Sequence, residues 1–224
     1  MDLTGINNNN NESISQYTTL GQRMKMYETQ PLPPSGKVDK QDYFLIRLDG
    51  RSFSNFTSGF SKPFDKIFTK AMCLTTMDLL EKFSCRTGYT HSDEITLIFS
   101  KIQPSEKPEN ENATTHLFDG RIQKLLSLTA GYASVRFNWH LMQLINQFVL
   151  ENPTQTTYKS KFIDKINSCE QMFDSRIMIF NEANKHEILN HQIWRSVYDS
   201  HRNAVQSYAH HYLGHKRIHA KSTV

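Results

Sequence analysis

Cysteine is scarce in this sequence, and its spacing points away from metal binding through sulfur. The 224 residues include three cysteines, at positions 73, 85 and 169, and no Cys-x-x-Cys pair occurs. An odd number of widely separated cysteines disfavours both a disulfide scaffold and a cysteine zinc site. We therefore predict a protein of a reducing compartment.

Long apolar runs and several catalytic motifs are also missing. No run approaches the roughly 20 apolar residues that cross a membrane, so no membrane partner is expected. The N-terminus lacks the apolar segment of a secretory signal and has no arginine before Arg23, which disfavours a mitochondrial presequence. The predicted location is cytoplasmic, with a mitochondrial one left open. The patterns GxxxxGK(S/T), GxSxG and HExxH do not occur, which excludes a P-loop at the level of motifs.

Acidic residues are absent from the last part of the chain. The net charge is +4, and after Asp199 the only Lys, Arg, Asp or Glu residues are Arg202, Lys216, Arg217 and Lys221. A basic segment of this kind can follow the phosphates of a nucleic acid. A solvated helical face is the ordinary alternative, because runs of charge commonly face solvent.

The order of predicted elements indicates the fold class. Residues 1–17 contain an asparagine run and few apolar groups, so we predict a disordered leader without function, followed by a single domain over 18–224. Hydrophobic periodicity predicts helices over 20–27, 64–83, 118–150 and 184–214, and strands over 43–48, 87–90, 95–99 and 173–180. A break is expected near Gly131, and Trp139 is expected in the core. This order predicts an α+β fold with helices flanking an antiparallel sheet.

Two segments place carboxylates at the ends of strand-like runs. Asp49 ends the first predicted strand, and Asp93 and Glu94 lie at the tip of the predicted hairpin. Carboxylates brought together on neighbouring strands would bind Mg²⁺, which prefers oxygen ligands. Paired ions of this kind support phosphoryl or nucleotidyl transfer. Each pattern alone has a simpler interpretation, since Asp-Gly is a common turn pair and structural ion pairs mimic such layouts.

Three cations are further candidates for contacts with phosphate. Lys62 precedes Pro63 between the first carboxylate and the next helix, where a lysine could meet a triphosphate as a point charge. Arg121 and Lys124 are three residues apart, which places them on one face of a helix. For all three, an ordinary surface position is the alternative.

Several segments together resemble one known family. They are the opening helix Leu20–Glu28, the R-L-D-G-R-S-F segment Arg47–Phe53, the K-P-F-D segment Lys62–Asp65, the S-D-E segment Ser92–Glu94, the helix Phe118–Ser134 and the F-D-S-R segment Phe173–Arg176. Over residues 19–213 the chain resembles the tRNA-His guanylyltransferase-like proteins, which are 3′–5′ RNA polymerases. The resemblance implies a polymerase-palm-like catalytic domain, two Mg²⁺ ions and a homotetramer.

The resemblance also implies a role for each matched residue. Asp49, Asp93 and Glu94 would be the catalytic acids, with Asp49, the Gly50 carbonyl and Asp93 as metal ligands and Glu94 in a less defined role. The nucleoside triphosphate would be held by Gly50, Arg51, Ser52, Phe53, Ser54, Lys62, Ser92 and Asp93. Phosphate or RNA would meet Arg121, Lys124, Arg202 and Asn203, the last two in a helical C-terminal part that contacts RNA.

Two branches of the family differ after a Trp-Arg pair. Guanylyltransferases specific for tRNA-His carry a His-Ile-Asn-Asn motif, whereas Asp199-Ser-His-Arg-Asn203 here resembles the Asp-Ala-Thr-Arg-Asn motif of the like-protein branch. Tyr198 looks like one extra residue before this motif. The expected function is therefore templated 3′–5′ addition of nucleotides to the 5′ end of truncated tRNA, with ATP activating the 5′-monophosphate.

Three other functions stay open at this point. The first is addition of G at position −1 of tRNA-His, and the second is RNA binding by a catalytically impaired homologue. The second fits a chain that stops at Val224, where family members continue, so a shortened C-terminus is expected. A nucleotide cyclase-like enzyme is the remote third, because cyclases share the β–helix–β-hairpin layout.

Overall fold

The computed structural model describes residues 19–103, 115–214 and Arg217. The predicted leader and most of the predicted polar loop over 103–115 lie outside these residues. The helices are α1 (Leu20–Glu28), α2 (Phe53–Phe56), α3 (Lys66–Lys82), α4 (Ile122–Glu151), α5 (Ser160–Asn167), α6 (His186–Ile193) and α7 (Ser200–Leu213), with a π-helical turn over Trp194–Asp199 and 3₁₀ turns over Thr57–Gly59 and Leu117–Gly120. The strands are β1 (Tyr43–Gly50), β2 (Thr87–His91), β3 (Glu94–Phe99) and β4 (Phe173–Phe180).

The four strands form one antiparallel sheet in the order β2-β3-β1-β4. β1 is therefore central, and the register pairs Asp49 with Glu94 on one side and with Asp174 on the other. β2 and β3 form the predicted hairpin, with Ser92 and Asp93 at its tip. The α+β prediction with an antiparallel sheet is confirmed.

The two faces of the sheet are covered by different helices. Because side chains alternate along a strand, Phe44, Ile46 and Leu48 enter the main core beneath α3 and α4. Leu45 faces the other way and packs in a smaller cluster that Tyr27 of α1 and Ile188 of α6 cover. Arg47 and Asp49 share this second face, so α1 and the C-terminal helices lie on the side of the candidate site.

The long helix α4 begins later than the sequence predicted and is not broken. Phe118 and Asp119 have φ angles of 57° and 56°, which are not helical, so the helix begins at Ile122. It then continues through Gly131 to Glu151, and the predicted break is wrong. One glycine in a helix interior costs only about 1 kcal/mol, which the packing of a 30-residue helix against the sheet overcomes.

Trp139 and Phe64 lie outside the core. Trp139 is 45% exposed, so the prediction that it is buried is wrong. The Arg136 guanidinium covers its ring at 4.5 Å from the centroid, a cation–π contact that stabilises an exposed ring. Phe64 is 54% exposed beside the candidate site.

Within the described residues, no helix combines the length and the hydropathy that a membrane crossing requires.

Seven phenylalanine rings in mutual contact form an aromatic floor under the end of β1. Phe53 touches Phe68, Phe137 and Phe173 at centroid distances of 5.2–6.2 Å. The floor comprises Phe53, Phe56, Phe60, Phe68, Phe137, Phe162 and Phe173. Edge-to-face and tilted rings of this kind interlock, and they hold α2, α3, α4 and β4 in place below the site.

Candidate active site

Three carboxylates form a row across the sheet at the end of β1. Asp49 lies opposite Glu94 on β3 and opposite Asp174 on β4. Directly opposed residues share one face of a sheet at about 5 Å, and like charges in such positions repel. The row therefore concentrates negative charge where the sequence predicted a metal site.

Gly50 and Asp93 meet through their backbones at the same place. The Gly50 N–H donates to the Asp93 carbonyl at 3.1 Å. A Cβ on Gly50 would lie 1.9 Å from a ring carbon of Phe53, so this position requires glycine. In the tight turn of the hairpin, the Ser92 hydroxyl donates to Asp93 Oδ1 at 3.0 Å. The structure thus brings Asp49, Gly50 and Asp93 together.

Both aspartates resist ionisation in the metal-free protein. Burial raises the pKa of Asp49, Glu94 raises it further, and the Arg47 guanidinium only partly offsets these effects, so the pKa is about 6. Burial also raises the pKa of Asp93, although the hydrogen bond from Ser92 acts in the opposite direction. A nearby cation would favour the ionised form of both groups.

A buried ionic network supports the carboxylate row. Nη2 of Arg47 donates to Asp49 Oδ2 at 2.8 Å and to Glu94 Oε1 at 2.7 Å. Nη1 of Arg47 donates to Oε1 of Glu28, on α1, at 3.0 Å. Arg195, from the π-helical turn, donates to the same Glu28 oxygen. Arg47 thus contacts three carboxylates, those of Glu28, Asp49 and Glu94. Glu28 contacts both Arg47 and Arg195.

Glu28 is the most strongly stabilised anion of this network. Burial raises its pKa, but the combined effect of His191, Arg47 and Arg195 is larger and lowers the pKa to about 2. Its side chain is 11% exposed. Glu28 therefore stays ionised over the whole physiological range and holds both guanidinium groups in place.

A second group of possible ligands lies next to the network. His91, Glu94 and Asp199 have ligand atoms within 4.8 Å of one another. Nη1 of Arg195 already lies 3.0 Å from Asp199 Oδ2 and 3.2 Å from Glu94 Oε2. Since a guanidinium supplies the positive charge there, we assign these side chains to the ionic network. Glu94, a predicted catalytic acid, contacts arginines in this arrangement.

A pocket of about 260 Å³ opens beside the hairpin tip. Its walls bring together Lys62, Ser92 and Asn203, three residues that the sequence predicted to bind nucleotide or RNA. Phe60 and Phe68 of the aromatic floor also line it, so the pocket offers apolar rings together with polar groups. Apolar walls with a few oriented polar groups are typical of ligand sites.

Asp65 fixes the segment that carries Lys62. Its carboxylate accepts the Ser61 N–H at 3.0 Å and the Tyr158 hydroxyl at 2.8 Å. It also caps α3 by accepting the N–H groups of Ile67 and Phe68. One buried carboxylate therefore ties the segment both to α3 and to Tyr158, two residues before α5.

The predicted nucleotide-binding turn follows Gly50 directly. Arg51, Ser52 and Ser54 are exposed and Phe53 is buried. Ser52 has a φ of 59° and precedes the short helix α2, while the Arg51 N–H donates to the Met172 carbonyl at 2.9 Å. Arg202 is exposed on α7 and pairs with Asp199.

Arg121 and Lys124 lie elsewhere, at the start of α4. The Ile122 N–H next to Arg121 donates to the Gly36 carbonyl at 3.0 Å, before β1 begins. The far end of β1 adjoins the middle of α4, because Phe173, which pairs with Gly50, donates to Ser134. At 1.5 Å per residue, these points are about 20 Å apart along the helix. The structure does not bring these two cations to the carboxylate row.

Residues 21–181 match the family model described as Thg1, tRNAHis guanylyltransferase. The chain belongs to the Thg1 family. The resemblance inferred from the motifs is therefore confirmed. The matched region contains the carboxylate row, the turn after Gly50 and the segment of Lys62.

A curated relative is the uncharacterized protein R259 of Acanthamoeba polyphaga mimivirus, which is 47% identical over 199 residues. The alignment covers 89% of this chain and 65% of the viral protein. The chain thus spans just under two thirds of the length of this relative.

Solved structures from the Thg1 family share the fold. A bacterial Thg1-like protein in complex with ATP is 24% identical, with a TM-score of 0.60 over 91% of this chain and 75% of that chain. A bacterial Thg1-like protein in complex with GTP is also 24% identical, with a TM-score of 0.58 over 88% of this chain and 78% of that chain. The tRNA(His) guanylyltransferase of Saccharomyces cerevisiae is 22% identical, with a TM-score of 0.55 over 82% and 73%.

Tyr198, which looks like one extra residue beside the family motif, lies in the π-helical turn Trp194–Asp199. A π turn closes an i→i+5 hydrogen bond where an α turn closes i→i+4, so it takes up one additional residue. Arg195 and Asp199 are buried, while Tyr198 is 60% exposed. A π turn at this position is what one additional residue in a helix would produce.

Glu28, Asp65, His91 and Arg195 are among the residues of the site that the sequence did not predict. Glu28 and Asp65 stood within family-like segments without a role, and His91 and Arg195 gave no signal of their own. All four act through partners that are distant in sequence, such as Glu28 with Arg195 and Asp65 with Tyr158. Spacing along the chain carries no information about such pairs.

Proposed function

We propose that this chain adds nucleotides to the 5′ end of RNA in the 3′–5′ direction, with tRNA as the substrate. The observation that carries the proposal is the pocket lined by Lys62, Ser92 and Asn203, because Ser92 lies at the hairpin tip and its hydroxyl donates to Asp93 at 3.0 Å. A nucleoside triphosphate in the pocket would have its phosphates near Asp49 and Asp93. Membership of the Thg1 family supports the same activity.

The residues of the pocket divide the binding of the triphosphate among them. The apolar rings of Phe60 and Phe68 would contact the base, and the exposed ammonium of Lys62 would face phosphate oxygens. The turn over 51–54 does not line the pocket, but it would offer its backbone N–H groups other than that of Arg51, which donates to Met172. The Ser92 hydroxyl and the Asn203 amide would complete the polar contacts.

The site also fits divalent cations. Asp49, Asp93 and the Gly50 carbonyl are hard oxygen ligands. Burial and the neighbouring Glu94 raise the pKa of Asp49, and a bound cation would favour its ionised form. Two Mg²⁺ ions bound by these groups would stabilise negative charge on the reacting phosphate. The ionic network around Glu28 keeps Arg47 in line with Asp49, so the ligands are oriented before an ion arrives.

The proposed reaction has two steps. An oxygen of the RNA 5′-monophosphate attacks the α-phosphorus of ATP, and pyrophosphate leaves. The 3′-hydroxyl oxygen of the incoming nucleotide then attacks the activated 5′ phosphorus, and AMP leaves. The opposing RNA strand selects the incoming nucleotide by base pairing.

The test uses purified protein, Mg²⁺, all four nucleoside triphosphates and a 5′-labelled tRNA lacking its first nucleotide. We expect extension at the 5′ end that Asp49→Asn and Asp93→Asn each reduce by at least about 100-fold. Glu182→Gln is the matched control, because Glu182 is an exposed acid that pairs with Lys101 and Lys185. No extension, even of a 5′-triphosphorylated RNA that needs no activation, would contradict the proposal and favour an RNA-binding homologue.

Strict addition of G to tRNA-His is the second candidate, because the matching family model is described as tRNAHis guanylyltransferase. The Asp199–Asn203 segment lacks the His-Ile-Asn-Asn pattern of such enzymes, which favours repair. Comparing intact tRNA-His with the truncated tRNA separates the two. Assembly into a homotetramer stays a prediction, which light scattering tests.

A further inference from the structure

Three aromatic rings form a line across the surface from the pocket onto α7. The rings of Phe64 and Tyr208 meet edge to face at 5.3 Å, and Tyr208 and Tyr212 are nearly parallel at 6.2 Å. These three residues, called here the aromatic ladder, are 54%, 47% and 73% exposed. Adjacent apolar rings that face water mark an interaction site more often than an ordinary surface.

The ladder is continuous with the pocket. Phe64 belongs to both, since it lines the pocket and touches Tyr208. Ser207, the neighbour of Tyr208, also lines the pocket. The ladder therefore begins at the mouth of the pocket and extends by one further helical turn to Tyr212, about 6 Å along α7.

The charge of the C-terminal segment of the sequence favours a polyanion as the ligand of the ladder. No Asp or Glu occurs after Asp199, while Arg202, Lys216, Arg217 and Lys221 do. The His211 ring adds a further polar aromatic group at 4.7 Å from Tyr212. Aromatic rings among cations bind single-stranded nucleic acids by stacking, with little dependence on sequence. A second copy of the chain would place like charges together at this surface.

We propose that the aromatic ladder stacks unpaired nucleotides next to the RNA 5′ end that reacts at Asp49 and Asp93. The inference rests on the proposed function and adds to it a surface for the unpaired strand. Bases inside a duplex are already stacked and hidden, so the ladder distinguishes RNA with an overhang from blunt RNA.

The experiment compares two 5′-phosphorylated RNA duplexes, one blunt and one with a four-nucleotide 3′ overhang. Fluorescence anisotropy without Mg²⁺ gives the affinity of each and prevents turnover. We expect the overhang to raise affinity for the unaltered protein by about 5- to 150-fold, the range of one stacked base. Tyr212→Ala should remove most of this gain and leave blunt binding unchanged, whereas Tyr212→Trp should retain it.

Tyr198→Ala is the matched control, because Tyr198 is 60% exposed on the preceding π-helical turn. It should keep the full gain. The proposal is wrong if Tyr212→Ala lowers the affinity for both duplexes equally. It is also wrong if the overhang does not raise the affinity of the unaltered protein. A change of sedimentation in Tyr212→Ala that accounts for the weaker binding would instead assign this surface to contact between copies.

The failure of the ladder and the failure of the proposed function are distinguishable. If Tyr212→Ala keeps the overhang gain while Asp49→Asn still abolishes extension, the ladder is wrong and the proposed function stands. If neither duplex binds and no RNA is extended, both are wrong.

Discussion

Glu28 and Arg47 form an ion pair of 3.0 Å that joins α1 to the central strand of the sheet. Both side chains are nearly buried, at 11% and 8% exposure. The same arginine reaches Asp49 and Glu94 with its other nitrogen. Helix α1 thus has a direct influence on the direction of Arg47, and through it on the carboxylate of the candidate site.

The first prediction concerns Glu28→Gln. Removing one partner of a buried pair leaves uncompensated charge, so we expect a loss of about 3 kcal/mol in the free energy of unfolding at pH 7. Because the pKa of Glu28 is lowered to about 2, its contribution is complete above the unfolded pKa of about 4.3 and declines below it. The difference in the free energy of unfolding between the unaltered protein and Glu28→Gln, measured by urea denaturation, should therefore become smaller as pH falls below about 4.5.

Glu182→Gln is the control for this prediction. The pKa of Glu182 is also lowered to about 2, by hydrogen bonds from Lys185 and Lys101, but the side chain lies at the surface. Exposed pairs contribute little and are screened by salt. A loss from Glu182→Gln as large as that from Glu28→Gln would show that burial is not what gives Glu28 its effect.

The second prediction concerns Asp49→Asn in the presence of EDTA. The pKa of Asp49 is about 6 in the folded protein, above its ordinary value, so stability falls as pH rises from about 4 and the loss is complete above about pH 6. We expect Asn to stabilise the metal-free protein by about 1 kcal/mol at pH 8, after allowance for partial exposure. Near pH 4 the two proteins should be equal.

Divalent ions should reverse this order. Mn²⁺ or Mg²⁺ would stabilise the unaltered protein and leave Asp49→Asn unaffected, because a ligand that binds only the folded state raises the melting temperature. A thermal scan with and without the ion measures both effects. If Asn lowers stability at pH 8 in EDTA, the carboxylate row is not electrostatically strained.

The third prediction compares two glycines. Gly50→Ala would place Cβ 1.9 Å from Phe53, and overpacking of this kind costs about 1–3 kcal/mol. Gly131→Ala meets no atom within 4 Å in the middle of α4, so it should stabilise by about 0.5–1 kcal/mol. Chemical denaturation should show a lower free energy of unfolding for Gly50→Ala and a higher one for Gly131→Ala. Changes of the same sign would contradict the geometry of the turn after β1.

The fourth prediction concerns the π-helical turn. Deleting Tyr198 converts an i→i+5 turn to an α turn and leaves the helices on both sides in phase. We expect the deletion to leave helix content and RNA binding unchanged. The melting temperature should change by less than about 4 °C, which corresponds to a change of less than about 1 kcal/mol in the free energy of unfolding.

Deleting Val205 from α7 is the matched comparison, since it is also exposed but lies in a regular helix. Each α-helical residue turns the chain by about 100°, so this deletion rotates Tyr208 and Tyr212 away from Phe64. Circular dichroism and anisotropy compare the two deletions. Equal damage by both would show that the π turn does not absorb Tyr198.

The sequence predicted the centre of the site because local patterns determine it. Asp49 and Asp93 each stand at the end of an apolar run, and an antiparallel hairpin next to β1 places these ends together. The error at Gly131 has the opposite origin, since the tertiary packing of α4 outweighs a weak local preference.

The support of the site was not predictable in the same way. Glu28 and Arg195 are 167 positions apart and meet only because α1 and the π-helical turn cover one face of the sheet. Trp139 was misplaced because its cation–π partner Arg136 makes an exposed position acceptable. Such pairings depend on three-dimensional packing that the periodicity of a sequence does not encode.

The aromatic floor has a consequence for the thermodynamics of ligand binding in the pocket. Phe53 packs against Gly50 and against three rings from other elements, and Phe60 and Phe68 are shared with the pocket. Ordering a flexible side chain on binding costs about 0.5–1.5 kcal/mol. Rings that are interlocked beforehand avoid this cost, so their conformational entropy is lost once, during folding, and not again when a ligand enters the pocket.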